Sequence, residues 1–172
     1  MSTTLPTLLL TRRDRPCRAS CSYDATSAVF SATFAYAGPP PPADLRRRID
    51  DSLGIREPHA RLRVGDVDIV LVERRLDSLV IRTSPEQWIR RPLGAPDVAD
   101  PVWFEPVCAF DANLIAEVST TTTYARDGAA LDVRFAGAGV VRWVELADAV
   151  FAGLTVDARL CGLLFARCPL PP

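Results

Sequence analysis

Apolar and polar positions alternate with a period of two through most of this chain, the spacing that turns one face of an extended strand inward. In 61–72, Leu62, Val64, Val67, Ile69 and Leu71 set inward positions on either side of Gly65-Asp66, which predicts two short strands and a tight turn. A strand over 79–83 would pair back through a turn near 74–78. Residues 28–36 are short on charge and rich in aromatic and β-branched residues, and read as another strand. Later, 118–124 is threonine-rich, Asp127-Gly128 marks a hairpin turn, and 131–135 alternates again. A Gly137-Ala138-Gly139 turn leads to a strand over 140–144, and 159–166 reads as the last strand.

One segment has the helical period instead. Leu45, Ile49 and Leu53 recur every four residues, Pro39 to Pro42 lead in, Asp44 favours the positive helix end, and Gly54 supplies the stop. This predicts a helix over 43–53. Its Arg46, Arg47 and Arg48 fall off the apolar stripe and face solvent, paired in part with Asp50 and Asp51. A second, short helix is expected over 145–152, where Leu146 and Val150 lie four apart. The fold class expected is therefore α+β: mainly antiparallel strands, as a sandwich or partly closed barrel, with one or two helices packed on the sheet.

Tyr23 and Phe34 stand as far apart as Tyr124 and Phe135, and 72–81 resembles 156–165. Two copies of a β-module, the first carrying the proline-plus-helix insert 39–55, would account for both likenesses. The whole of 1–172 reads as a single domain, with 1–16 as an N-terminal arm. Residues 91–106 hold Pro92, Pro96, Pro101 and Pro106 and read as a connector between two β-rich halves.

Composition then narrows the chemistry. All twenty basic residues are arginine, which removes Schiff-base, pyridoxal-anchoring and P-loop lysine chemistry. His59 is the single histidine and reads as a loop residue at a strand entrance. No serine has the glycine spacing of a nucleophile elbow, and Gly137-Ala138-Gly139 lacks the third glycine of a dinucleotide fingerprint. Glu105, Asp111 and Glu117 flank Cys108 without a spacing that makes them converge. Cys17, Cys21, Cys161 and Cys168 lack the tight pair spacing of zinc knuckles, and the odd set of five cysteines reads as reduced thiols. No catalytic residue, metal site or cofactor is expected.

The net charge of −1 disfavours nucleic acid, and no apolar run is long enough to predict a membrane span. An arginine-rich, lysine-free chain points to a GC-rich genome, bacterial or viral. The expected location is cytoplasmic, or the host cytoplasm or nucleus if viral. Tryptophan and arginine concentrate binding energy in protein interfaces. Trp88, Arg90, Arg91, Trp103 and Phe104 are therefore the candidate binding residues. The function expected is a non-enzymatic accessory protein, of immunity or viral-accessory type, that binds a protein partner; self-association is compatible with this. The alternative is a small-molecule-binding or carboxylate-dependent enzymatic β-barrel.

Overall fold

The computed structural model describes residues 4–38, 59–72, 75–94, 96, 99–135 and 139–171. Its strands in chain order are β1 (Thr7–Leu9), β2 (Cys17–Asp24), β3 (Val29–Tyr36), β4 (Ala60–Val64), β5 (Val67–Val72), β6 (Arg75–Arg82), β7 (Trp88–Arg90) and β8 (Asp100–Pro101). They continue with β9 (Glu105–Val107), β10 (Ile115–Val118), β11 (Thr122–Asp127), β12 (Ala130–Phe135), β13 (Arg142–Ala147), β14 (Val150–Leu154) and β15 (Leu160–Phe165). A first sheet has the order β10-β4-β5-β6-β3-β2, and a second has β7-β11-β12-β15-β14-β13-β8. β1 and β9 form a small antiparallel ribbon.

Both sheets are wound the same way. A hairpin (β2-β3 or β11-β12) is followed outward by the sixth, fifth and fourth strands of one half and by β15, β14 and β13 of the other. In each, a short strand from elsewhere closes the far edge in parallel, β10 on β4 and β8 on β13. Register makes the correspondence residue by residue. Phe30 faces Ile81 and Ser31 faces Val80 in the first sheet; Leu131 faces Phe165 and Asp132 faces Leu164 in the second.

The two sheets bury their inner faces against each other in one core. Phe30 and Phe165 meet edge to face, ring centroids 4.8 Å apart, and neither touches solvent. Full burial of such a ring contributes on the order of 2–3 kcal/mol. Along β2, the Cys17 carbonyl accepts from Asp148 N in the β13–β14 turn at 2.9 Å. Further on, the Cys21 thiol interacts with that of Cys168 beyond β15. Tyr23 then packs against Trp88 of β7, with centroids 5.2 Å apart. One strand of the first sheet thus touches the β13–β14 turn, the segment after β15, and β7 of the second.

The structure corrects the expected fold class. Among the described residues there is no α-helix, only a single 3-10 turn at Pro85–Gln87. Residues 145–152, expected as a short helix, are the end of β13, a two-residue turn and the start of β14. Two apolar residues four apart cannot distinguish a helix from a hairpin with an inward residue on each side. Asp148-Ala149 makes the turn, and Ala149 takes a left-handed φ of 62° that ends any helical continuation. The expected helix over 43–53, with Arg46 to Arg48, lies outside the described residues.

Strand limits shift as well. The turn expected near 74–78 is instead occupied by the start of β6, which begins at Arg75. The threonine-rich 118–124 is the end of one strand, β10, and the start of another, β11, in a different sheet. In the N-terminal segment Leu8 and Arg13 are buried, and Arg12 bridges to Val102.

Candidate functional site

On β12, Leu131, Val133 and Phe135 point into the core, so Asp132 and Arg134 point to the outer face of the second sheet. Two rows of paired residues cross that face. One runs Ile89–Ala125–Asp132–Leu164–Phe151–Glu145, and the next runs Thr123–Arg134–Gly162–Gly153–Trp143. An outward position on a sheet normally gives a polar side chain to water. Asp132 is instead only 1% exposed, flanked by buried Ala125 and Leu164.

Two arginines hold this carboxylate. Arg134 Nε lies 2.7 and 2.9 Å from its two oxygens, and Arg91 donates an Nη2 hydrogen to Oδ2 at 3.0 Å. Charge-assisted hydrogen bonds of this kind offset the cost of taking the carboxylate out of water. The arginines themselves keep access to solvent, with Arg91 51% and Arg134 30% exposed.

Arg134 reaches Asp132 by lying flat along the sheet, and glycines make the room. A Cβ on Gly162 would stand 2.8 Å from Val133 O and 3.0 Å from Arg134 Cδ. A Cβ on Gly153 would meet Val140 at 2.6 Å and the Trp143 ring at 3.1 Å. The paired glycines leave a shallow trough in which the Arg134 guanidinium sits 4.9 Å from the centroid of the Trp143 ring. Cys161, buried beside them, donates to Gly153 O at 3.3 Å. Burial pushes its thiol upward, against the pull of the Arg134 charge.

The first sheet provides an internal comparison. Its outer face also carries charges, with Asp68 bonded to Arg63 and Arg82 at 2.7 Å each, and Glu117 bonded to Arg63 at 2.8 Å. Asp68 is 17% and Glu117 30% exposed there, against 1% for Asp132, and the network has the character of an ordinary surface ladder. Partial burial pushes the Asp68 carboxyl up, but hydrogen bonds from Arg63 and Arg82 and their charges outweigh it and hold the group below its ordinary value.

Only one of the five residues singled out from the sequence falls in this cluster. Arg91 is there. Trp88 is a core residue: it packs on Tyr23, donates Nε1–H to Thr83 Oγ1 at 2.9 Å, and lies under Arg126 at 5.8 Å. Arg90 is exposed on the same strand, in register with Arg126. Phe104 is buried in the core. Trp103 is half-buried against Tyr36, centroids 5.2 Å apart, with Arg75 capping its ring at 5.0 Å. Trp88 starts one edge strand and Trp103 follows the other; the six steps between those edges span about 29 Å along the sheet. They do not form one patch.

Other chemistry is dispersed. Glu105 accepts from Thr11, Asp111 from the backbone N–H groups of Asn113 and Ile115, and Glu117 from Arg63. His59 is exposed ahead of β4. Of the four cysteines weighed as metal ligands, Cys21 and Cys168 meet. Cys17 sits by Arg13 and Tyr36, and Cys161 lies on the outer face. Arg13 is itself buried, bonded to Glu145 at 2.9 Å and to the Arg15 carbonyl.

Sequence reasoning passed over Asp132, Arg134 and Trp143 because they occupy ordinary outward positions of alternating strands. The available signal was Gly153 and Gly162, glycines inside otherwise apolar strands, which mark close approach of another group. No helix among the described residues is long and apolar enough to cross a membrane. No protein-family model and no curated protein matches the chain.

Proposed function

We propose that the protein is a non-enzymatic binding protein that engages a protein partner through the outer face of its second sheet, around Arg91, Arg134 and Trp143. The observation that carries this reading is the buried Asp132 carboxylate. It orients two partly exposed guanidinium groups on a face whose counterpart in the first sheet is a hydrated surface. Planar guanidinium groups beside an aromatic ring suit recognition.

The barrel reading, with a ligand or reaction inside, has less support. Phe30 and Phe165 fill the middle of the interior, and the acidic groups weighed for catalysis each serve a separate structural bond. Accessory roles of immunity or viral type, a cytoplasmic setting and self-association remain part of the proposal.

Affinity capture from cells that express the protein, with mass spectrometry, tests it. A partner retained by wild type and by Arg90→Gln, and lost with the folded double variant Arg91→Gln/Trp143→Ala, is the expected result. An unchanged partner set with the double variant would overturn the assignment of this face.

A further inference from the structure

Resting on that reading of the same face, we infer that what Arg91 and Arg134 receive is a carboxylate carried by an acidic segment of the partner polypeptide. Asp132 consumes only part of their bonding capacity. Arg134 spends Nε–H on it, which leaves both terminal NH₂ groups without a partner among the described residues. Arg91 spends a single Nη2 hydrogen and has no other side-chain bond among them. The donors left over belong to two groups fixed to one anchor, so their directions are set before a ligand arrives, which lowers the cost of ordering them.

Charge selects the ligand class. Two guanidinium groups meet one carboxylate, leaving a single positive charge. Glu145, in the row of Asp132, is already paired with Arg13, and Asp127 keeps its own charge, accepting the neutral Leu93 backbone N–H, but forms no ion pair with either arginine among the described residues. One uncompensated positive charge complements a monoanion. A phosphate dianion would bring a second negative charge up to buried Asp132. The remaining surroundings suit a peptide: the Trp143 face lies on one side, and Ile89, 61% exposed, ends the row at the opposite edge. An extended acidic segment lying along the row would set its carboxylate on the arginines and an apolar side chain near Ile89.

Calorimetric titration with an N-acetylated oligo-glutamate peptide tests this, beside oligo-glutamine and phosphoserine peptides of equal length. The glutamate peptide should bind saturably and more weakly as salt rises, and oligo-glutamine should not bind. Arg134→Gln and Arg91→Gln should each weaken binding by about tenfold to a hundredfold, as expected for a lost charge-assisted hydrogen bond. Arg90→Gln removes the same charge from the neighbouring position and should leave affinity unchanged. Heteronuclear NMR should place the perturbation at the Arg134 Nε–H and Trp143 indole N–H, with the rest of the spectrum confirming an intact fold.

Equal binding of glutamate and glutamine peptides, tighter binding of phosphoserine, or indifference to Arg134→Gln would each overturn the inference. If partner capture needs the face but acidic peptides do not bind, the carboxylate inference fails while the proposed function stands. If the face variants capture the partner as wild type does, the proposed function itself fails.

Discussion

Ser31 and Asp132 hold the same position in two sheets of one strand order: Ser31 faces Val80 across its ladder, and Asp132 faces Leu164. Ser31 shares a 2.9 Å hydrogen bond with Ser22 at the surface, whereas Asp132 is sealed under two arginines. The strand order that the two sheets share therefore does not account for the buried charge. The residues around it do, and Arg91 comes from just beyond β7, a strand the first sheet lacks.

This pairing makes a controlled prediction. Asp132→Ala removes the anchor and leaves Arg91 and Arg134 facing each other. The loss should fall at the lower end of the ~3–5 kcal/mol typical of a broken buried pair, because both arginines keep a route to water. Ser31→Ala, at the equivalent position, should change stability by no more than about 0.5 kcal/mol. Urea unfolding midpoints at constant slope measure both. Similar losses at the two positions would mean that Asp132 is not an anchor.

A second prediction concerns the trough. Gly162 stands opposite Arg134 where Ser78 stands opposite Thr33. Gly162→Ser restores the residue of the other sheet but drives a Cβ to within 2.8 Å of Val133 O, a backbone atom fixed in the ladder. The expected cost is about 1–3 kcal/mol. Arg134 should also leave the Trp143 ring. Ring-current shifts of the Arg134 side-chain protons report this directly, and their persistence in the variant would show that the glycine is not what lets the arginine lie flat.

Much of the sheet architecture could be read from the chain, and the reasons are local. Leu62, Val64, Val67 and Ile69 alternate cleanly because their strands bury one face only, and Asp127-Gly128 is a turn in its own right. The similar segments 72–81 and 156–165 overlap β6 and β15, which hold equivalent places in the two sheets. β2 escaped notice because Cys17, Arg18, Ala19 and Ser20 have little strand preference; β3 and the strand ends of the second sheet hold it in place. The candidate site was the least visible part. Asp132 and Arg134 look solvated in any alternating pattern, and only pairing across the sheet brings Arg134 over Gly162 and beside Trp143. The tryptophans were visible as residues, but their placement on opposite edges is a property of strand order.

The three tyrosines should resist alkali. Burial is the first cause in each, raising the phenols of Tyr23, Tyr36 and Tyr124 above the ordinary value. The Asp24 and Glu86 charges add to this for Tyr23, Cys17 for Tyr36, and Asp66, which accepts the Tyr124 hydroxyl at 3.2 Å, for Tyr124. A raised folded pKa means the folded state favours the protonated phenol. The contribution is full below the unfolded value of about 10 and is lost as pH rises above it. Tyrosinate absorbance should stay low beyond pH ~10 in the folded protein and then appear together with loss of the fold. Ordinary titration of any one tyrosine with the fold intact would contradict its placement.

Cys21 and Cys168 should form a disulfide under mild oxidation. The interaction of the two thiols lowers Cys21 and raises Cys168, so Cys21 is the better nucleophile of the pair. With glutathione disulfide as oxidant, the Cys21 thiolate attacks one sulfur and expels a glutathione thiolate. Cys168 then gives up its proton and attacks the Cys21 sulfur of the mixed disulfide, expelling the second glutathione. Two protein thiols are oxidised and one glutathione disulfide is reduced to two thiols. Of the five free cysteines, two should lose reactivity towards an alkylating agent, while half-buried Cys108 keeps its own. The link would join β2 to the segment after β15 and close most of the chain into a loop, raising stability by about 4–5 kcal/mol in the chain-entropy description. Cys168→Ser should instead stall as a glutathione adduct on Cys21. Alkylation of both cysteines at an unchanged rate after oxidation would show that the two thiols do not meet closely enough to bond.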